Sequence, residues 1–164
     1  RVVENNPPIF VGSTMADTLF TDDVSSYANS TIKNNGEFCY FVEAVENGVN
    51  PYGVVGQSRS NIMCAKQMSR VFIPNSFTPN GDTLNGILKP SISFINMEDY
   101  EFSVYDRWGN QLFKTTNPLE GWDGYAKNGK PAQEGIYLYK LIYTTSDNEQ
   151  KEREGYIHLF IPSK

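Results

Sequence analysis

Short apolar and aromatic runs are spaced along this chain by abundant turn-forming residues. No segment sustains an apolar helical period over several turns. Residues 100–105 set Tyr100, Phe102 and Val104 against Glu101, Ser103 and Tyr105, as a half-buried strand requires. Residues 106–110 form a turn, and Gln111–Thr115 returns as the partner strand. A long loop over 117–134 carries Gly121-Trp122-Asp123-Gly124 and Asn128-Gly129-Lys130-Pro131. Gly135–Thr145 and 154–161 then form a closing hairpin around the charged tip 147–153, with an aromatic row of Tyr137, Tyr139, Tyr143, Tyr156 and Phe160.

Upstream, residues 71–73 are a short apolar run that Pro74 stops, since proline offers no N–H to a ladder. An irregular loop rich in Asn, Asp and Gly follows, and a second strand ends by Pro90. A loop of that length inside a compact domain is disordered or functional, and Phe77, Pro79 and the Asx residues argue for order. In the first half, 9–12 and 18–20 are weaker strand candidates, and Asn34-Asn35-Gly36 is a hairpin turn. Residues 38–46 are the strongest strand there and pair with 56–64 around the turn-rich 47–55. Such a pairing sets Cys39 opposite Cys64, the only cysteines, so a cross-strand disulfide and an oxidising location are expected; two free buried thiols are the alternative. The class is all-β, extracellular in type.

The 164 residues suffice for one ordinary domain or two small ones. A net charge of −5 without a basic cluster argues against a nucleic-acid partner. No run of about 18 apolar residues exists to insert into a membrane. Two cysteines and the single histidine, His158, do not make a zinc site. His158 lies mid-strand without a nucleophile nearby in sequence, and the paired acids Asp22/Asp23 and Glu98/Asp99 sit in turns; no enzyme is read here.

Residues 1–66 resemble the end of a fibronectin type III-like module, with a YxVxAV-like strand, a hairpin and a final strand ending at Cys64. About five strands fit where such a module has about seven, so the expectation is an incomplete sandwich at the tail of a longer protein. Residues 67–164 resemble the gliding-motility-associated C-terminal domain, the type B sorting domain of the Bacteroidota type IX secretion system. The motifs are Phe72-Ile73-Pro74-Asn75-Ser76-Phe77-Thr78-Pro79-Asn80-Gly81-Asp82, Arg107-Trp108-Gly109, Trp122-Asp123-Gly124 and Pro131…Gly135-Ile136-Tyr137-Leu138-Tyr139, in the family's order. Ser76, Thr83 and Gly86 depart from the family pattern. The fold expected is two tandem β-sandwiches of immunoglobulin/fibronectin type, the first incomplete.

The resemblance implies a secretion-signal and surface-attachment domain of a large adhesin, exported and held at the outer membrane by the type IX machinery and a PorP/SprF-type outer-membrane β-barrel. The residues expected to bind that partner are Phe77, Pro79, Asn80, Gly81, Asp82 and Asn85 of the first loop, Arg107, Trp108, Trp122 and Asp123 of the Trp turns, and Tyr137, Tyr139, Tyr156 and Phe160 of the last hairpin. Both tryptophans have a competing reading as core caps of the sandwich, and Asp123 one as an Asx-turn residue. Asn80, Asp82 and Asn85 are weak calcium candidates; calcium takes about six to eight oxygens, so a self-bonded Asx loop competes, and no cofactor is expected. Two alternatives stand beside the sorting domain: a calcium-dependent carbohydrate- or surface-binding module, and an accessory domain of a secreted hydrolase.

Overall fold

The structure, a computed structural model, describes residues 1–3, 7–15, 17–28, 35–46, 51–82 and 84–161. Asn34 of the expected turn, the hairpin tip at 47–50 and Thr83 lie outside the described residues. The chain divides into two compact units, residues 1–23 with 37–67, and residues 24–36 with 68–164. The expectation placed a boundary at residue 66; the second of these units takes in 24–36 as well as 68–164. The reason is local: the short 3-10 turn Ser25–Ala28 packs on the strand Ser91–Ser93, and Ser93 Oγ donates to the Ala28 carbonyl at 2.5 Å.

The first unit contains β1 (Val2–Val3), β2 (Glu37–Tyr40), β3 (Glu43–Val45), β4 (Gln57–Arg59) and β5 (Met63–Lys66). The order β1-β2-β5 makes one small antiparallel sheet, and β3-β4 another. Residues 38–46, expected as one strand, break at Phe41 and Val42. Tyr40 pairs with Met63 and Glu43 with Arg59, so the returning strand carries one extra residue and the ladder splits there. Cys39 lies opposite Cys64 and the two are disulfide-bonded, as the hairpin register required. Neither 9–12 nor 18–20 forms a strand; Phe10 and Leu19 are both exposed, without a sheet to bury them.

In the second unit the strands are β6 (Arg70–Phe72), β7 (Ser76–Phe77), β8 (Ser91–Ser93), β9 (Ile95–Tyr105), β10 (Gln111–Thr115), β11 (Gly135–Thr145) and β12 (Gln150–Leu159). One sheet has the order β10-β9-β11-β12-β7, antiparallel except that β7 runs parallel to β12. The pair β6-β8 is the smaller sheet. Pro74 lies where the chain leaves β6 for β7 in the other sheet, a place where the missing N–H costs no ladder bond. The strand expected before Pro90 shrinks to a single bridge, Leu88 to Trp122, and β9 begins at Ile95 rather than at Tyr100. The charged tip is also shorter than expected, because Gln150 through Arg153 pair with β11.

The core joins both sheets: Phe77, Leu88, Ile92, Ile95, Tyr100, Phe102, Val104, Trp122, Tyr137, Leu141, Tyr143, Ile157 and Leu159 are buried together. At one end of the sheet, Ser69 Oγ donates to the Phe94 carbonyl at 2.5 Å and accepts the Ser146 N–H at 2.8 Å, which ties the β11–β12 tip to the chain entering the unit.

Candidate recognition surface

Strand direction gathers the sequence motifs at the opposite end. Tyr105 at the end of β9 pairs with Leu138 near the start of β11, Ile136 pairs with His158 near the end of β12, and Phe77 at the end of β7 pairs with Leu159. The loop after Phe77, the Arg107-Trp108-Gly109 turn and the segment leading into Gly135 therefore emerge at one pole.

In the first of these, the Thr78 N–H donates to the Asn85 carbonyl at 2.8 Å and closes a compact loop. Inside it the Asx side chains bond one another and the backbone. Asn80 Nδ2 donates to Asp82 Oδ2 at 2.6 Å, the Asp82 N–H donates to Asn80 Oδ1 at 3.0 Å, and the Leu84 N–H donates to Asp82 Oδ1 at 2.9 Å. The Asn80 amide, and then the Leu84 N–H, hold the Asp82 carboxyl below its ordinary pKa. The oxygens proposed for calcium on Asn80 and Asp82 thus already accept hydrogen bonds within the loop. Among the described residues, no three of His, Cys, Asp or Glu are placed to share a metal ion.

Phe77 was expected among the partner-binding residues of this loop, and the structure places it in the core at 2% exposure. Its ring packs on Trp122, 5.2 Å between centroids, and Trp122 in turn packs edge-on against Tyr137 at 5.0 Å. Trp122 is fully buried, its indole N–H donates to the Tyr125 carbonyl at 2.8 Å, and its backbone pairs with Leu88. Pro79 is partly buried: a Cβ added at Gly124 would meet its Cγ at 2.8 Å. The Phe77…Pro79, Trp122…Gly124 and Tyr137 parts of the motifs are therefore one packing unit, and Phe77, Trp122 and Tyr137 are removed from the contact surface. Asp123 is exposed and its Oδ1 accepts the Tyr125 N–H at 3.1 Å, which is the Asx-turn reading.

The other tryptophan behaves in the opposite way. Trp108 is 74% exposed, against its reading as a core cap, and the Arg107 guanidinium stacks on its ring at 4.7 Å. What holds this turn is Asp106, which sequence reasoning left without a role. Its Oδ1 accepts the Trp108 and Asn110 N–H groups at 2.9 and 2.8 Å, its Oδ2 accepts from Asn110 Nδ2 at 2.8 Å, and Gly109 takes φ +84°. The Asn110 side chain foremost lowers the Asp106 pKa. An Asp directly before a turn that ends in Gly-Asn is the signal that marks it.

The aromatic row of the closing hairpin is split between two faces. Tyr137, Tyr139 and Tyr143 point inward, while Tyr156 and Phe160 lie on the outer face with Ile136, Leu138 and His158. Leu138 pairs with Tyr156, which places Tyr156 opposite the inner tyrosines. Gly155 explains the choice for Tyr139: a Cβ there would meet the Tyr139 ring at 2.7 Å, so the missing side chain lets the ring lie over the strand. The outer face keeps Tyr156 69% exposed, with Ile136, Leu138 and Phe160 also exposed and the His158 and Phe160 rings 5.3 Å apart. β12 is no free edge at its end, since β7 pairs with His158 and Leu159. Exposed Leu84, Ile87, Leu119 and Tyr125 were missed; Ile87 and Leu119 line an open groove with Lys89, Phe113, Glu120 and Gly121.

The exposed remainder of the expected site is Asn80, Gly81, Asp82, Asn85, Arg107, Trp108, Asp123, Tyr156 and Phe160. Such an arrangement can recognise another surface through an aromatic anchor, a stacked cation and a rigid polar loop. A family model, that of the CHU_C Type IX secretion signal domain, matches residues 71–159, more than half of the chain. Comparison with curated proteins finds no match.

Proposed function

We propose, from the premise that this chain belongs to the CHU_C Type IX secretion signal domain family, that its second unit is a non-enzymatic recognition module that exports the protein and fastens it to the cell surface. A type IX secretion signal makes the protein a secreted one and the secretion system a partner. Beyond that, the partner we assign is an outer-membrane β-barrel of PorP/SprF type, with a large surface adhesin as the exported cargo. The module works on this reading without a cofactor.

The observation that carries the reading is Trp108. An exposed tryptophan with an arginine stacked on it, on a turn locked by Asp106 hydrogen bonds, is costly to leave in water and preorganised for contact. Trp and Arg are also the residue types that dominate binding hot spots. The outer face of the hairpin, with Tyr156 at its centre, extends the apolar surface. Trp108→Ala and Tyr156→Ala test this in the producing cell, with export and surface display as readouts. Both variants are expected to fold, since neither side chain is buried, and to leave the protein inside the envelope. Surface display of the double variant at the native level would overturn the proposal.

A further inference from the structure

The five-stranded sheet guards its edges unequally. Before β7 joins it, β12 has β11 on one side only, and there it carries the exposed charged run Lys151 through Glu154. The part of β9 that precedes its pairing with β10 carries Glu98, Asp99 and Glu101. Charges on an edge keep other strands from adding to it. β10 ends the sheet on that side, and among the described residues its far side has no backbone partner. Its sequence, Gln111-Leu112-Phe113-Lys114-Thr115, holds a single charge, and the Lys114 ammonium is drawn back over β9 to Glu101 at 2.8 Å. The row of N–H and C=O groups along β10 is thus left open.

Beside that edge lies the open groove, about 440 Å³ in volume and walled by Ile87, Phe113 and Leu119. Phe113 belongs to β10 itself, and Ile87 and Leu119 are both exposed. Glu120 and Lys89 also line the groove. The Glu120 carboxylate is already engaged, accepting from the Thr115 hydroxyl at 2.6 Å and from Asn117 Nδ2 at 3.2 Å. The Lys89 ammonium has no ion pair or hydrogen bond among the described residues. Backbone groups without a ladder, an apolar trough and an unmatched cation together call for one kind of ligand, an extended polypeptide with an acid among its apolar residues. We propose that β10 is a docking edge: an extended segment of a partner protein adds to it as a further strand, seats an apolar side chain in the groove and sets a carboxylate against Lys89. A second copy of this chain fits poorly, because its β10 would bring Lys114 and no acid to Lys89. The site shares no residue with the Trp108 turn or the outer face of the hairpin, so the proposal stands whether or not those engage the export partner.

Amide exchange followed by NMR on the full chain tests it. The probes are a blocked heptapeptide that alternates Thr with Val, Val and Glu, and the same peptide in reverse order, because an added strand can run either way. One of the two is expected to slow those β10 amides that exchange freely in the protein alone, with the β11 amides unchanged. N-methylation of every second peptide amide should abolish this protection in one phase and spare it in the other, since only alternate amides face the edge. Replacing the peptide's Glu by Lys, or making Lys89→Glu in the protein, should each weaken binding about tenfold. Combining the two changes should restore it, a recovery that a misfolded variant could not show. The proposal is overturned if neither peptide, up to its solubility, slows any β10 amide, or if the Glu and Lys peptides bind the native chain equally. Self-association that protects β10 without peptide would also overturn it, by giving the edge to a second copy.

Discussion

Replacing Gly124 by alanine is expected to weaken the second unit far more than the same change at Gly129. Both glycines hold left-handed backbone, with φ of +82° and +74°, so alanine costs either site about 1–2 kcal/mol of strain. Their surroundings differ. A Cβ at Gly124 would meet Pro79 Cγ at 2.8 Å and Leu159 Cδ1 at 3.4 Å, whereas nothing lies within 4 Å at Gly129. The Pro79 ring has no rotamer by which to swing aside, so overpacking adds about 1–3 kcal/mol at Gly124. The expected losses are about 2–5 kcal/mol for Gly124→Ala and about 1–2 kcal/mol for Gly129→Ala. Urea unfolding read by tryptophan emission measures both, because Trp122 is buried in this unit and reports its opening. Lower midpoints at unchanged slope give the two values. Equal midpoints for the two variants would refute the reasoning that the Pro79 loop and the Trp122-Asp123-Gly124 turn form one packing unit.

Phe77→Ala is expected to cost the second unit about 3–5 kcal/mol, while Trp108→Ala stays within about 0.5 kcal/mol because its ring packs on solvent; thermal melts distinguish them, and comparable losses would reverse the assignment of core and surface. Asp82 and Asp106 have lowered pKa values, so their contribution is fully present above the ordinary value of 3.8 and is lost as pH falls through the lowered folded values. NMR titration of the two carboxyls, with exchange of the Leu84 and Trp108 amides below pH 4, is expected to show the loop and turn opening together with protonation; amide protection that persists after protonation would contradict this. Added calcium or a chelator is expected to leave the melting temperature unchanged, since the Asn80 and Asp82 oxygens already accept N–H groups; a rise with calcium would show that the ion displaces those bonds.

Local rules carried a good part of this protein. Two-residue periodicity marked residues 100–105 within β9, turn chemistry marked the Asp106–Asn110 reversal that returns Gln111–Thr115 and the Asp123 Asx turn, and hairpin register set Cys39 against Cys64. Each depends on neighbours in sequence or on one strand pairing, which the residues themselves specify. The motif order also identified the family on its own. Burial was another matter. Both faces of β11 are apolar, so only the packing of Tyr137 and Tyr139 against Trp122, Phe102 and the bare Gly155 decided which face is inside. Phe77, expected on the contact surface, is core, and Trp108, whose competing reading was a core cap, is exposed, for the same reason: a side chain's exposure is set by what the fold brings over it, here the Trp122 ring over Phe77 and only the neighbouring Arg107 over Trp108. That contact joins residues tens of positions apart, and only the folded sandwich supplies it.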